Sequence, residues 1–267
     1  MVYPRIVAAE TREIRRRAQV GSGLAALDQL LGGGIEEGSS TLVAGPPGTG
    51  KSSVAIQFVK AVTDRGGRAA MFLFEESFNT LLNRSEGIGL DLHTPFESGL
   101  LTVHQIDPAE MSPGEFTHAV CGAADQGARV VVIDSLNGYM NAMPEAGFLS
   151  THLHEVLTYL GQRGVVTFLV GVQQGIVGNS MSTGMDVSYL ADNVVILRYF
   201  EAQGAVQKAI SVFKKRGSAH ETTLRRFDIT KNGIAVGAVL RNFQGILTGV
   251  PIILATDKGE GGPAAMS

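Results

Sequence analysis

Short, nearly unbroken apolar runs at 39–44, 68–74, 129–134 and 165–172 alternate with longer stretches at 54–62, 77–87, 113–126 and 148–163, whose apolar residues recur every three to four positions. The runs predict strands buried on both faces, and the spaced stretches predict helices packed over them. A further strand with partial alternation is predicted at 100–106. Repeated strand–helix order of this kind predicts an α/β fold, a mostly parallel sheet covered by helices on both faces. Past residue 174 the pattern changes. Residues 175–186 are rich in Gly, Ser, Asn and Met and read as a loop. The runs at 190–200, 206–213 and 222–229 follow with turns and no helix between them, which predicts an antiparallel extension on the C-terminal side.

Upstream, 22–34 reads as a short helix closed by the glycines at 32, 33 and 34. Residues 2–8 resemble the last strand of something else, and 10–17 is a charged connector holding Arg12, Arg15, Arg16 and Arg17. Those arginines read as a solvated linker, with a nucleic-acid contact as the alternative. The expected organisation is therefore a linker or the end of a preceding domain over 1–19, one domain over 20–254, and a small, polar, flexible tail over 255–267.

Composition narrows the class. The chain has 267 residues, 44% hydrophobic and 18% charged, with a formal net charge of −3. That is long enough for a large buried core, and nothing in the overall charge attracts nucleic acid or an anionic membrane. No apolar run is long enough to cross a bilayer. Cys121 is alone, so no internal disulfide is possible and a reducing cytoplasm is the expected compartment. The six histidines have no metal-ligand spacing, and no CxxC pair or HExxH motif is present, so no structural zinc is expected.

The chemistry concentrates in G-P-P-G-T-G-K-S-S, from Gly45 through Pro46, Pro47, Gly48, Thr49, Gly50, Lys51 and Ser52 to Ser53. It fits G-x-x-x-x-G-K-[ST] and stands between a predicted strand and a predicted helix, the context that makes this pattern a phosphate cradle. Glycines let backbone N–H groups approach an anion, and the helix start turns its positive end toward the same phosphates. Lys51 would reach the β- and γ-phosphates, and the Ser52 hydroxyl would hold Mg²⁺. The expected cofactors are ATP and Mg²⁺.

Three carboxylates complete the set. Asp134 ends a buried strand, where open parallel sheets bind ligands, and would orient the Mg²⁺ shell; capping the next segment is the alternative. Glu75 and Glu76 end another apolar strand, and adjacent strand residues face opposite ways. Glu75 is expected as the base that activates water and as a Mg²⁺ neighbour, with Glu76 as a supporting acid. A pure capping role for both is the alternative. Lys214, Lys215 and Arg216 form a cation cluster far along the chain. Phosphoryl transfer needs positive charge beyond Lys51, and a finger lent by a neighbouring copy would supply it. Repeated head to tail, such a contact closes a ring.

Taken together, these residues make the chain resemble the KaiC branch of the RecA-like ATPases from residue 20 to about 251. The resemblance is carried by the glycine-punctuated approach at 21–34, the phosphate loop, F-E-E-S at 74–77 and V-I-D-S-L at 132–136. It continues in A-D-N-V-V-I-L-R at 191–198, V-F-K-K-R-G-S-A-H at 212–220, and R-N-F with G-V-P at 241–251. It is nearest to the second ATPase domain of a double-domain member. The resemblance implies a RecA-like P-loop core, Glu75 as catalytic glutamate, and a hexameric ring with ATP between subunits. Slow hydrolysis would be coupled to signalling and to regulatory protein partners. It also implies that Lys214, Lys215 and Arg216 contact the nucleotide of the adjacent subunit, and that Lys208, Ile229 and Lys231 help hold it across the interface. In the clock protein a Ser-Thr pair is autophosphorylated; here the matching positions are Ser188 and Tyr189, so Ser188 is the candidate acceptor and a dual Ser/Thr mark is in question. Two other functions stand beside this one. A DNA-binding recombinase filament on the same core is opposed by a 175–186 loop without Lys, Arg or aromatic residues. A nucleotide-gated scaffold with negligible turnover is opposed by Glu75.

Overall fold

The computed structural model describes residues 18–107, 110–141, 146–172, 189–247 and 252–253. In chain order the strands are β1 (Gln19–Val20), β2 (Ile35–Glu36), β3 (Ser40–Gly45), β4 (Arg68–Leu73), β5 (Leu101–Gln105), β6 (Ala128–Asp134), β7 (Val166–Val172), β8 (Asn193–Ala202), β9 (Ala205–Lys215), β10 (Arg225–Thr230), β11 (Gly233–Val239), β12 (Phe243–Gln244) and β13 (Ile252–Ile253). The helices are α1 (Ala25–Leu30), α2 (Lys51–Thr63), α3 (Phe78–Gly87), α4 (His93–Glu97), α5 (Pro113–Asp125), α6 (Leu136–Asn141) and α7 (Ala146–Gln162).

Nine strands form one sheet in the order β11-β10-β9-β8-β3-β7-β6-β4-β5. Strands β8, β3, β7, β6, β4 and β5 are parallel, and β9, β10 and β11 continue the sheet antiparallel. The expected extension is thus corrected at one strand. The 190–200 run became β8, which is parallel to β3, so the antiparallel part begins only at β9. Strand β11 carries only a weak apolar pattern in the sequence, because Gly233 and Gly237 dilute it.

The period of two decides which core each strand residue enters. Val43, Met71, Leu73, Val130 and Val132 face α2 and α3, together with Ile56, Phe58 and Leu81. Leu42, Phe72, Val131 and Ile133 face the other way, onto Phe116 and Val120 of α5 and Leu153, Val156 and Leu160 of α7. Each such aliphatic side chain, removed from water, contributes on the order of 2 kcal/mol. This double burial is why the strands read as continuous apolar runs.

Local signals set the helix starts. At α5, Ser112 and Glu115 form a reciprocal capping box with Pro113 in the first turn. At α3, Ser77 Oγ accepts the Thr80 N–H at 3.2 Å. Among the described residues, no helix is long and apolar enough to cross a membrane.

Candidate nucleotide site

Strand β3 is the middle strand of the sheet, and the G-P-P-G-T-G-K-S-S loop leaves its C-terminal tip and runs into α2. Gly50 is the N-cap of α2 with φ 102°, a left-handed conformation that a side chain would strain. A Cβ there would also lie 2.7 Å from Ile229 Cδ1 and 2.9 Å from Phe227 Cε1. At Gly48, with φ 76°, a Cβ would lie 2.7 Å from Tyr199 Oη. The tyrosine itself donates to the Pro47 carbonyl at 3.2 Å, and Gly45 backs onto the backbone of Leu197. Inside the loop, Thr49 Oγ1 and Lys51 Nζ both donate to the Pro46 carbonyl, at 2.8 Å and 3.0 Å. The N–H groups of the first turn of α2 have no acceptor within the helix and face the same end as the cleft.

That cleft has a volume of about 450 Å³. Gly48, Gly50, Lys51, Ser52 and Ser53 form its floor. Glu75, Glu76 and Asp134 stand on one side, while Ile88 and Ile229 supply an apolar wall. Strand register brings the carboxylates together. Leu73 pairs with Asp134, so Glu75 lies just beyond the neighbouring strand tip. Burial pushes the Asp134 carboxyl above its usual range, and nearby Glu76 adds to this; a hydrogen bond from the Ser52 hydroxyl and the charges of Arg84 and Lys51 pull it back. Burial lowers the Lys51 ammonium, and Asp134 and Glu75 oppose that shift.

The two glutamates have different partners. Glu75 Oε1 accepts from Ser135 Oγ at 2.8 Å. Glu76 is held by Arg84, with Nε donating to Oε1 at 2.9 Å and a terminal nitrogen to Oε2 at 2.7 Å. Capping is done by serines beside these acids. Ser77 caps α3, and Ser135 Oγ accepts the Gly138 N–H at 3.0 Å at the start of α6. The carboxylates therefore face the cleft without being occupied as caps.

The expected residues outside the phosphate loop divide. Lys214, Lys215 and Arg216 lie at the other end of the sheet from their own phosphate loop: Lys215 pairs with Asn193, and Asn193 pairs with Thr41. From Thr41 to Gly45 alone is roughly 13 Å at ~3.3 Å per residue. Lys214 Nζ donates to the Ala191 carbonyl at 2.7 Å, and Arg216 donates to the Tyr189 carbonyl at 3.0 Å with Asp192 Oδ1 at 3.7 Å. Lys215 is held within its own chain. Its side chain is fully buried, and its ammonium binds the carbonyls of Leu31 and Gly34 and the carboxylate of Glu36 at 3.1 Å. The lysine thus ties the glycine-rich turn after α1 to β9 as an internal strut. Ile229 lines the cleft of its own chain. Lys208 sits in β9 opposite Tyr199 and Phe227, and Lys231 lies in the exposed turn between β10 and β11. Neither lines the cleft. Ser188 lies outside the described residues, as does the 175–186 loop.

Sequence reading missed Arg84, Ser135 and Ile88. Arg84 and Ile88 carry a helical signal, because Ser77, Thr80, Arg84 and Ile88 fall on one face of α3 and all four line the cleft. Ser135 had none beyond its place next to Asp134.

The residues present fit a magnesium–nucleoside triphosphate. The glycine floor leaves no room for side chains, a cation and unpaired helix N–H groups meet there, and a hydroxyl and carboxylates stand alongside. Among the described residues, no group of three or more His, Cys, Asp or Glu forms a closed metal cage. A one- or two-carboxylate site completed by phosphate oxygens is how Mg²⁺ is usually bound. A mostly parallel sheet with this loop on its middle strand, and acids on the tips of two others, defines a RecA-like P-loop ATPase fold.

The chain belongs to the KaiC ATPase family, whose model matches residues 20–240. It is 29% identical over 241 residues to the circadian clock oscillator protein KaiC of Thermostichus vulcanus, covering 90% of this chain and 46% of that protein. Against the KaiC of Parasynechococcus marenigrum it is 30% identical, covering 90% of this chain and 47% of the relative. Against the circadian clock protein KaiC3 of Synechocystis sp. it is 27% identical, covering 95% and 50%. The chain thus spans about half the length of the curated relatives it matches.

Proposed function

We propose that this chain is an Mg·ATP-dependent ATPase unit that assembles head to tail as a ring, six copies around, with one triphosphate at each seam. The observation that carries the reading is the convergence of Lys51, Ser52, Glu75 and Asp134 on one cleft above the first turn of α2. Lys51 and the helix N–H groups hold the terminal phosphates. Ser52, Asp134 and Glu75 would hold Mg²⁺, which when bound neutralises charge on the β- and γ-oxygens. Glu75, oriented by Ser135, accepts a proton from water as that oxygen bonds to the γ-phosphorus. The bond from phosphorus to the β–γ bridging oxygen breaks, and ADP and phosphate leave.

The additional positive charge comes from Arg216 of a neighbouring copy, with Lys214 beside it. Their position at the far end of the sheet keeps them from serving their own cleft, and it suits a head-to-tail contact. Slow turnover would then signal assembly state to a protein partner. Ser188, the residue before Tyr189 in sequence, is the proposed acceptor for autophosphorylation.

ATP turnover of the full chain tests this reading. Glu75→Gln should lower kcat by ~10²-fold or more while ATP still binds, and Lys51→Ala should abolish binding. Undiminished turnover in Glu75→Gln would remove it from the role of base. Mass spectrometry after incubation with Mg·ATP decides Ser188, and an unmodified serine would leave an ATPase alone.

A further inference from the structure

We propose that Arg84 is a positioning residue for the triphosphate: it neutralises Glu76 so that the cleft accepts a polyanion, and it turns from Glu76 toward the phosphates when they arrive. The inference rests on the nucleotide reading of the cleft and deepens it.

The argument begins with charge. The cleft presents three carboxylates, Glu75, Glu76 and Asp134, against two cations, Lys51 and Arg84. A site for a triphosphate carrying three to four negative charges is thus lined by more acid than base. Without Arg84 the imbalance doubles. Two of the acids have other work, Glu75 toward water and Asp134 bonded by the Ser52 hydroxyl. Glu76 is the one whose charge only repels, and it is the one that Arg84 covers with both oxygens matched to one guanidinium fork.

Placement supports a role toward ligand. Arg84 stands on the cleft face of α3 between Thr80 and Ile88, on the stripe that runs from the acids to the apolar wall. Its guanidinium is near enough to Asp134 to act on that carboxyl electrostatically. Its side chain is 34% exposed and that of Glu76 23%, so the pair is neither sealed in the core nor loose in solvent. It is built from a residue of the strand tip that carries the expected base, and it opens onto the cleft.

Isothermal titration of the full chain with ATP, with and without Mg²⁺, tests the proposal across a double-mutant cycle. Wild type should bind, and Arg84→Ala should weaken binding about tenfold, the scale of one charge contact in a half-open site. Arg84→Ala combined with Glu76→Gln should recover to within about threefold of wild type, because the uncovered charge is gone. Glu76→Gln alone should bind more tightly than wild type, since Arg84 is released to the phosphates. Arg84→Lys should fall between Arg84→Ala and wild type. Unchanged affinity in Arg84→Ala, or a double variant as weak as the single, would overturn the role. If Arg84→Ala does not fold, Glu76→Gln still decides, and affinity equal to or below wild type overturns it. A wild-type chain that binds no ATP would overturn the underlying reading, a separate result.

Discussion

Ser135 Oγ donates a 2.8 Å hydrogen bond to Glu75 and, through the same oxygen, accepts the Gly138 N–H at 3.0 Å. One hydroxyl thus ties the proposed base to the start of α6. Glu75 itself is exposed at the cleft rim, and the Ser135 hydroxyl holds its carboxylate in one direction. Ser135→Ala should therefore lower kcat several-fold to tenfold while leaving KM for ATP within about twofold, since only orientation in the reacting state is lost. Steady-state kinetics on folded protein checks it. A rise in KM with unchanged kcat would place the serine in nucleotide binding instead.

Lys215 is the clearest structural cation. Its buried ammonium holds two carbonyls of the turn after α1 and the carboxylate of Glu36. Lys215→Met should destabilise the chain by about 3 kcal/mol, because a part-buried carboxylate and two carbonyls lose the ammonium that pairs with them. Denaturant unfolding measures this. Glu36 also receives a hydrogen bond from Ser218 at 2.6 Å, so the loss should spread to the loop that follows β9.

The same pair sets an acid limit. Burial pushes the Glu36 carboxyl up, but Ser218, its own backbone and Lys215 outweigh that and hold it below its ordinary value of 4.5. A carboxylate lowered in the folded state adds stability that is present above 4.5 and lost as pH falls through the folded value. Unfolding free energy should therefore drop below about pH 4.5, and Glu36→Gln should flatten part of that slope while lowering stability at neutral pH. Denaturant midpoints taken from pH 7 down to pH 3 give the comparison.

Gly50 tests the cradle. Its left-handed φ and the closeness of Ile229 and Phe227 leave no place for a methyl group. Gly50→Ala should reduce ATP affinity at least tenfold, with a loss of stability of about 1–3 kcal/mol from strain and crowding. Nucleotide titration alongside thermal melting separates the two effects. Wild-type affinity would mean that the loop tolerates a side chain at its tightest point.

Much of this was legible in the residue order. The four strands buried on both faces and the helices over them were readable because double burial erases alternation, as at Val130 to Ile133. The phosphate loop was readable because its backbone geometry demands glycines at fixed places. Glu75 and Asp134 could be found because charge at the end of an apolar run is conspicuous. Arg84 could not be ranked in the same way, since an arginine on a helix face is ordinary until Glu76 is seen across from it. The fate of Lys215 depended on carbonyls 181 and 184 residues away, a relation that no local pattern carries. The parallel sense of β8 was hidden for a related reason: its partner β3 is distant in sequence, while its antiparallel neighbour β9 is one turn away.

In the proposed shared site one chain supplies the cradle and base while its neighbour supplies Arg216. Mixing two inactive variants, Glu75→Gln and Arg216→Ala, tests it most directly. In a head-to-tail ring built at random from equal amounts, about a quarter of the seams would join an intact Glu75 to an intact Arg216. ATP turnover of the mixture should therefore rise to about a quarter of wild type, although each variant alone is nearly inactive. A mixture no more active than its components, or an Arg216→Ala chain that turns over ATP at the wild-type rate by itself, would contradict the shared site.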